Sequence, residues 1–167
     1  MKTIKIILIL FLLIVCINSF AQDTLLNSMP STKEEFISSE KQVIATTYWI
    51  ENTPVDQDKN KRKQQTFLLL TWITNSPTVT LVINSNVMPF TNKNSELLMP
   101  FMGGWTRYCL QNNYSTDSVM GSLAGIRSAI KLYKLGGLKK DKEMDKLIEL
   151  DNSGGLEAWV REKMVKK

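Results

Sequence analysis

Two apolar stretches in the second half of this chain carry glycine where a helix would be better served by alanine. The first is FMGGWTRYC, residues 101–109; the second holds Gly121, Ala124, Gly125 and Ser128. Each glycine inside a helix costs about 1 kcal/mol against alanine. A sequence that keeps them in two helical stretches gains close backbone approach in return. The spacing Gly121-x-x-x-Gly125 is used between membrane helices, but Asp117, Arg127, Lys131 and Lys134 interrupt this run, so it is not read as a span. The reading is two helices, from Glu96 or Leu98 to Asn112 and from about Thr116 to Leu135. The small-residue stripe of the second is expected to pack on Gly103-Gly104 of the first.

A repeated phrase fixes the first half. YWIENTP, Tyr48 to Pro54, returns as TWITNSP, Thr71 to Pro77, so both copies read Trp-Ile-x-Asn-(Thr/Ser)-Pro. The phrase suits a helix end. Trp and Ile pack the last turn, Asn tolerates the left-handed conformation in which helices often end, and Pro drives the residue before it out of the α region. The first helix is expected to open at Ser31 with a capping box to Glu34. The second, polar early and apolar late, is expected to enter the core at Phe67. Joined by a short turn, the two predict an αα-hairpin. The period of 23 residues is shorter than that of helix-pair repeats, so no solenoid is implied.

Thr78 to Ile83 alternates in β-branched residues, and Asn84-Ser85-Asn86 is a turn cluster before Val87-Met88-Pro89-Phe90, which predicts a small β-hairpin insert. Gly136-Gly137 ends the fourth helix. A fifth is read over Lys140–Leu150 and a sixth from Leu156 to about Val165. The expected fold is mainly α: a single helical domain over residues 31–167, with about six helices, preceded by a flexible segment at 22–30.

The first 21 residues read as a cleaved signal peptide. Lys2 and Lys5 precede twelve unbroken apolar residues, Ile6 to Ile17. A membrane span needs about 20, whereas a signal h-region is this short. Ser19 and Ala21 are the small residues a signal peptidase reads, which places the new N-terminus at Gln22. Export, periplasmic or secreted, is the expectation. The signal holds two lysines and no acid, so the mature chain would carry 19 basic and 16 acidic residues, +3 in place of +5. That surplus is too small for the basic stripe that nucleic-acid binding uses. No integral membrane span is expected after cleavage.

Cys16 leaves with the signal, so the fold relies on its apolar core and Cys109 is read as a buried small hydrophobe. The histidine count is zero. Catalytic triads built on histidine and histidine-ligated metals are therefore excluded. There is no Walker loop and no GxGxxG, and no cofactor or metal is expected. Chemistry with carboxylates alone survives, with Glu34, Glu35, Glu40, Glu51 and Glu96 as candidates, each also readable as a cap or an exposed helix face.

The candidate binding residues are Phe101, Trp105, Arg107 and Tyr108. They combine aromatic surface with an arginine able to hold a carboxylate or phosphate; the competing reading is a core helix whose arginine reaches outward. In signal peptide, size and short helices the chain resembles small exported bacterial proteins. The functional expectation is a non-enzymatic binding or interaction module of the cell envelope with a protein or envelope component as partner. The alternatives are a small-ligand carrier with an apolar pocket near Trp105 and Arg107, and a carboxylate-only glycan enzyme. Intact-mass measurement of the exported chain should give the mass of residues 22–167; a mass that retains residues 1–21 would remove the cleavage reading.

Overall fold

Two helices in tight contact form the centre of the protein, α4 (Leu98–Gln111) and α5 (Ser118–Lys134). The computed structural model describes residues 24–165; the expected signal peptide and the terminal Lys166-Lys167 lie outside the described residues. The glycines explain the closeness of the pair. A Cβ added to Gly104 would stand 2.5 Å from the Ser128 Cβ, one on Gly125 would stand 2.6 Å from the Phe101 carbonyl oxygen, and one on Gly121 would stand 2.0 Å from Trp105 Nε1. Side chains there are therefore excluded by backbone and by the indole. Gly103 faces the other way, toward Thr47 and Leu69.

Around this pair the described residues hold five further α-helices: α1 (Lys33–Ser38), α2 (Glu40–Asn52), α3 (Lys59–Asn75), α6 (Lys142–Asn152) and α7 (Leu156–Val165). The fold is mainly α. Seven helices replace the expected six because the first divides at Ser39. There the Ser39 hydroxyl donates to the Phe36 carbonyl at 2.8 Å and accepts from Trp72 Nε1 at 2.9 Å. A serine hydroxyl that bonds locally competes with the helix ladder. The capping box forms one residue later than expected: Thr32 Oγ1 accepts from the Glu35 amide, and Glu35 Oε2 accepts from the amides of Thr32 and Ser31.

Both copies of the repeated phrase end a helix in the same way. Thr53 and Ser76 leave the α region, at ψ 126° and 129°, directly before Pro54 and Pro77. Asn52 and Asn75 are still helical. Their side-chain amides donate back to the carbonyls of Tyr48 at 2.7 Å and Thr71 at 2.8 Å. The asparagines thus add a further donor to the carbonyl one turn back and do not take the left-handed position expected of them. The expectation for Phe67 is also corrected, since it is 63% exposed. The buried face of α3 is Gln65, Leu68, Leu69, Trp72 and Ile73, and Phe67 falls outside that i, i+3, i+4, i+7, i+8 stripe.

Among the described residues there is no strand, so the expected β-hairpin insert is absent. The return segment winds into 3-10 turns at Ser85–Val87, Pro89–Asn92 and Ser95–Leu97, and buries Val87, Phe90 and Leu97. Pro89 has no N–H for a ladder and starts a turn instead. The amides of Thr78 and Val79 go to Ser76 Oγ, which removes the start of the other strand. Within the segment expected to be flexible, Leu26 is 1% exposed; its amide donates to Thr46 Oγ1 at 2.9 Å and its carbonyl accepts from Gln65 Nε2 at 3.0 Å.

Replacing Gly125 with leucine forces a side chain onto the α4 backbone. It should lower the unfolding free energy by about 3 kcal/mol, read as a shifted midpoint in urea denaturation; an unchanged midpoint would remove the close-packing account.

Candidate functional site

The most unusual group in the interior is a carboxylate. Glu51, the variable position in the first copy of the phrase, is 0% exposed near the end of α2. An isolated ionised carboxylate in such a place is untenable, and three groups answer it. Ser128 Oγ donates to Oε2 at 2.5 Å, and Lys131 Nζ lies 2.8 Å from Oε1. Arg107 Nη1 is 2.8 Å from Oε2. That last contact is an ion pair in which Nη1 makes no directed hydrogen bond. Glu51 therefore ties α2 to α4 and to α5. Gly104 packs against the Ser128 Cβ, so the helix seam and the carboxylate site share a residue.

Above Glu51 the same helices leave an open cavity of about 370 Å³. Its wall from α5 is one stripe, Met120, Leu123, Ala124, Arg127 and Lys131, apolar at one end and cationic at the other. These positions recur at i, i+3, i+4, i+7 and i+11, which is a single helical face. Tyr48 of α2, Gly104, Arg107, Tyr108 and Gln111 of α4, and Asn112 just after α4 complete the lining. The Arg107 guanidinium stacks on the Tyr48 ring at 4.3 Å from its centroid, and Lys131 Nζ lies 5.8 Å from the same centroid. Such stacking is attractive through the ring quadrupole. Arg127 pairs with Asp151 of α6 through Nε at 2.8 Å. A larger hollow of about 510 Å³ runs along the 3-10 turns beside Ser85, Pro89 and Thr91, but Lys163 is its single charged lining residue. The smaller cavity concentrates charge and aromatic surface and is the better candidate.

The structure divides the four residues singled out in the sequence. Arg107 and Tyr108 line the cavity. Phe101 and Trp105 are 0% and 2% exposed and belong to the core. Their rings meet edge to face, 6.0 Å apart, and the Trp105 indole occupies the slot left by Gly121. Helix periodicity places Trp105 and Tyr108 near one another but does not say which of them reaches solvent. Tyr48, Arg127 and Lys131 were not singled out for binding. The available signal was Glu51 itself, an acid in a phrase whose second copy has Thr74.

The other glutamates raised as catalytic candidates have structural partners where their contacts are seen. Glu35 closes the capping box, and Glu40 accepts from Thr78 Oγ1 and the Tyr114 hydroxyl. Cys109 is buried, and burial raises its thiol above the ordinary pKa. Among the described residues no helix is long and apolar enough to cross a membrane. No known protein family matches the sequence, and neither a curated protein nor a solved structure matches it.

Glu51→Gln removes the charge that Arg107 and Lys131 share and leaves Arg107, 12% exposed, without its counterion. Breaking such a buried pair costs about 3 kcal/mol or more. Lys131→Gln, at a side chain 51% exposed, should cost less than a third of that. Equal losses in chemical denaturation would contradict the central place given to Glu51.

Proposed function

We propose that this chain is an exported, non-enzymatic binding protein that takes a small anionic ligand in the cavity between α2, α4 and α5. One observation carries the reading: three cationic side chains, Arg107, Arg127 and Lys131, converge on a cavity of about 370 Å³ whose remaining lining is apolar and aromatic apart from Gln111 and Asn112. Ligand sites have this make-up, a mostly apolar hollow with a few charged groups that fix orientation. In this reading α2 and α3 form the αα-hairpin expected from the repeated phrase and present Tyr48 to the cavity.

The arrangement favours a ligand carrier over a protein-docking face at FMGGWTRYC. Phe101 and Trp105 offer a partner no surface, whereas Arg107 and Tyr108 face a hollow of small-molecule size. An enzyme reading has less support, because both acids that pair with the cavity's cations are engaged: Glu51 has both oxygens bonded and no exposure, and Asp151 holds Arg127.

Equilibrium dialysis against a small-molecule extract of cell envelopes tests this. Anionic compounds should be enriched with the wild-type protein and lost with Lys131→Glu, which reverses one charge at the rim. Enrichment of nothing, or of the same compounds by both proteins, would overturn the reading.

A further inference from the structure

The three cations of the cavity differ in how freely they can engage a ligand. Arg107 is held on two sides, by the buried Glu51 at 2.8 Å and by the Tyr48 ring, and its side chain is 12% exposed. Arg127 is 53% exposed and uses only Nε on Asp151, itself 25% exposed. Lys131 is 51% exposed and anchored at one point to Glu51. The groups able to turn toward a ligand are therefore Arg127 and Lys131. They are four residues apart on α5, so their Cβ atoms are about 6 Å from each other on one face.

Charge, size and polarity then narrow the ligand. The cavity cations and the two carboxylates that pair with them, Glu51 and Asp151, leave one positive charge uncompensated. A carboxylate brings one negative charge, while a phosphate monoester brings nearly two. The apolar part of the α5 stripe runs only from Met120 to Ala124, about 6 Å along the helix axis. That length accepts a ring or a short branched chain and is too short for a long acyl chain. Resting on the cavity reading above, the geometry points to a compact apolar monocarboxylate as the ligand class. Its carboxylate meets Arg127 and Lys131, and its body lies over Leu123 and Ala124 against Tyr48. Arg107 is a positioning residue that holds Tyr48 and Glu51 in place.

Four probes titrated into the protein, followed by amide and side-chain NMR, test this assignment: phenylacetate, its neutral analogue phenylacetamide, phenyl phosphate and decanoate. Phenylacetate should shift signals of Tyr48, Leu123 and Ala124 and bind at least tenfold more tightly than phenylacetamide. Arg127→Gln, which breaks only a half-exposed pair, should weaken phenylacetate about tenfold, equivalent to about 1.4 kcal/mol, with the thermal midpoint unchanged. Tighter, Arg127-dependent binding of phenyl phosphate or decanoate in the same cavity would overturn the ligand class and leave the cavity reading standing. No shift around Tyr48, Leu123 and Ala124 with any probe would overturn both.

Discussion

The close approach of α4 and α5 is the constraint on which the rest of the protein depends. It is a backbone contact made possible by absent side chains: at Gly104, Gly121 and Gly125 a single added carbon would stand 2.0 to 2.6 Å from a neighbouring atom. What fills the saved space is specific. Trp105 lies in the slot at Gly121, and Phe101 lies at Gly125. From there Phe101 reaches Phe90 of the 3-10 turns at 6.2 Å, which joins the irregular segment to the core. The helix-propensity cost of these glycines, about 1 kcal/mol each, is offset by burial of two aromatic side chains, worth more apiece.

That seam also sets the electrostatics. With α4 and α5 so close, Ser128 and Lys131 on one helix and Arg107 on the other converge on a point that α2 fills with Glu51. A buried ion pair adds little to stability compared with apolar packing of the same volume, but it is costly to break. Its value is geometric: Glu51 engages side chains on two other helices at three points, and a shift along either helix axis would leave charges unpaired. Tyr48, one turn before Glu51 on α2, is placed over Arg107 by the same register.

Much of this was legible in the sequence wherever a residue has one physical solution. Glycine inside a helix implies close approach, and the pairing of the two glycine stretches followed from that alone. Proline after Asn-(Thr/Ser) ends a helix, and both copies do so. Where residues have several solutions, local pattern does not decide between them. β-Branched alternation over Thr78–Ile83 fits a strand, but a strand needs a partner, and Pro89 denies one by removing a donor from the return segment. Phe67 is apolar enough for the core, yet the register of α3 is set by Trp72 and Leu69, both 0% exposed. Phe101 and Trp105 share a segment with Arg107 and Tyr108, and only the depth of the glycine seam decides which pair is covered. Glu51, a candidate for carboxylate chemistry that is equally readable as a cap or an exposed helix position, proves buried; its partners lie 56 to 80 residues away and no local pattern announces them.

The cavity is a consequence of the same economy of side chains. Gly104 lines it, as does Ala124, whose backbone carbonyl lies against Gly104. A side chain at Gly104 would extend into the hollow, but it would first push α4 away from α5 and move Arg107 off Glu51. The features that allow the helices to touch thus also keep a space open beside them, ringed by the cations that the buried carboxylate draws in. Occupation of that space needs no rearrangement of the seam, since the two cations nearest solvent, Arg127 and Lys131, are also the two with the least packing to lose. The cavity's rim on α5 can therefore vary while the glycines and Glu51 hold the frame.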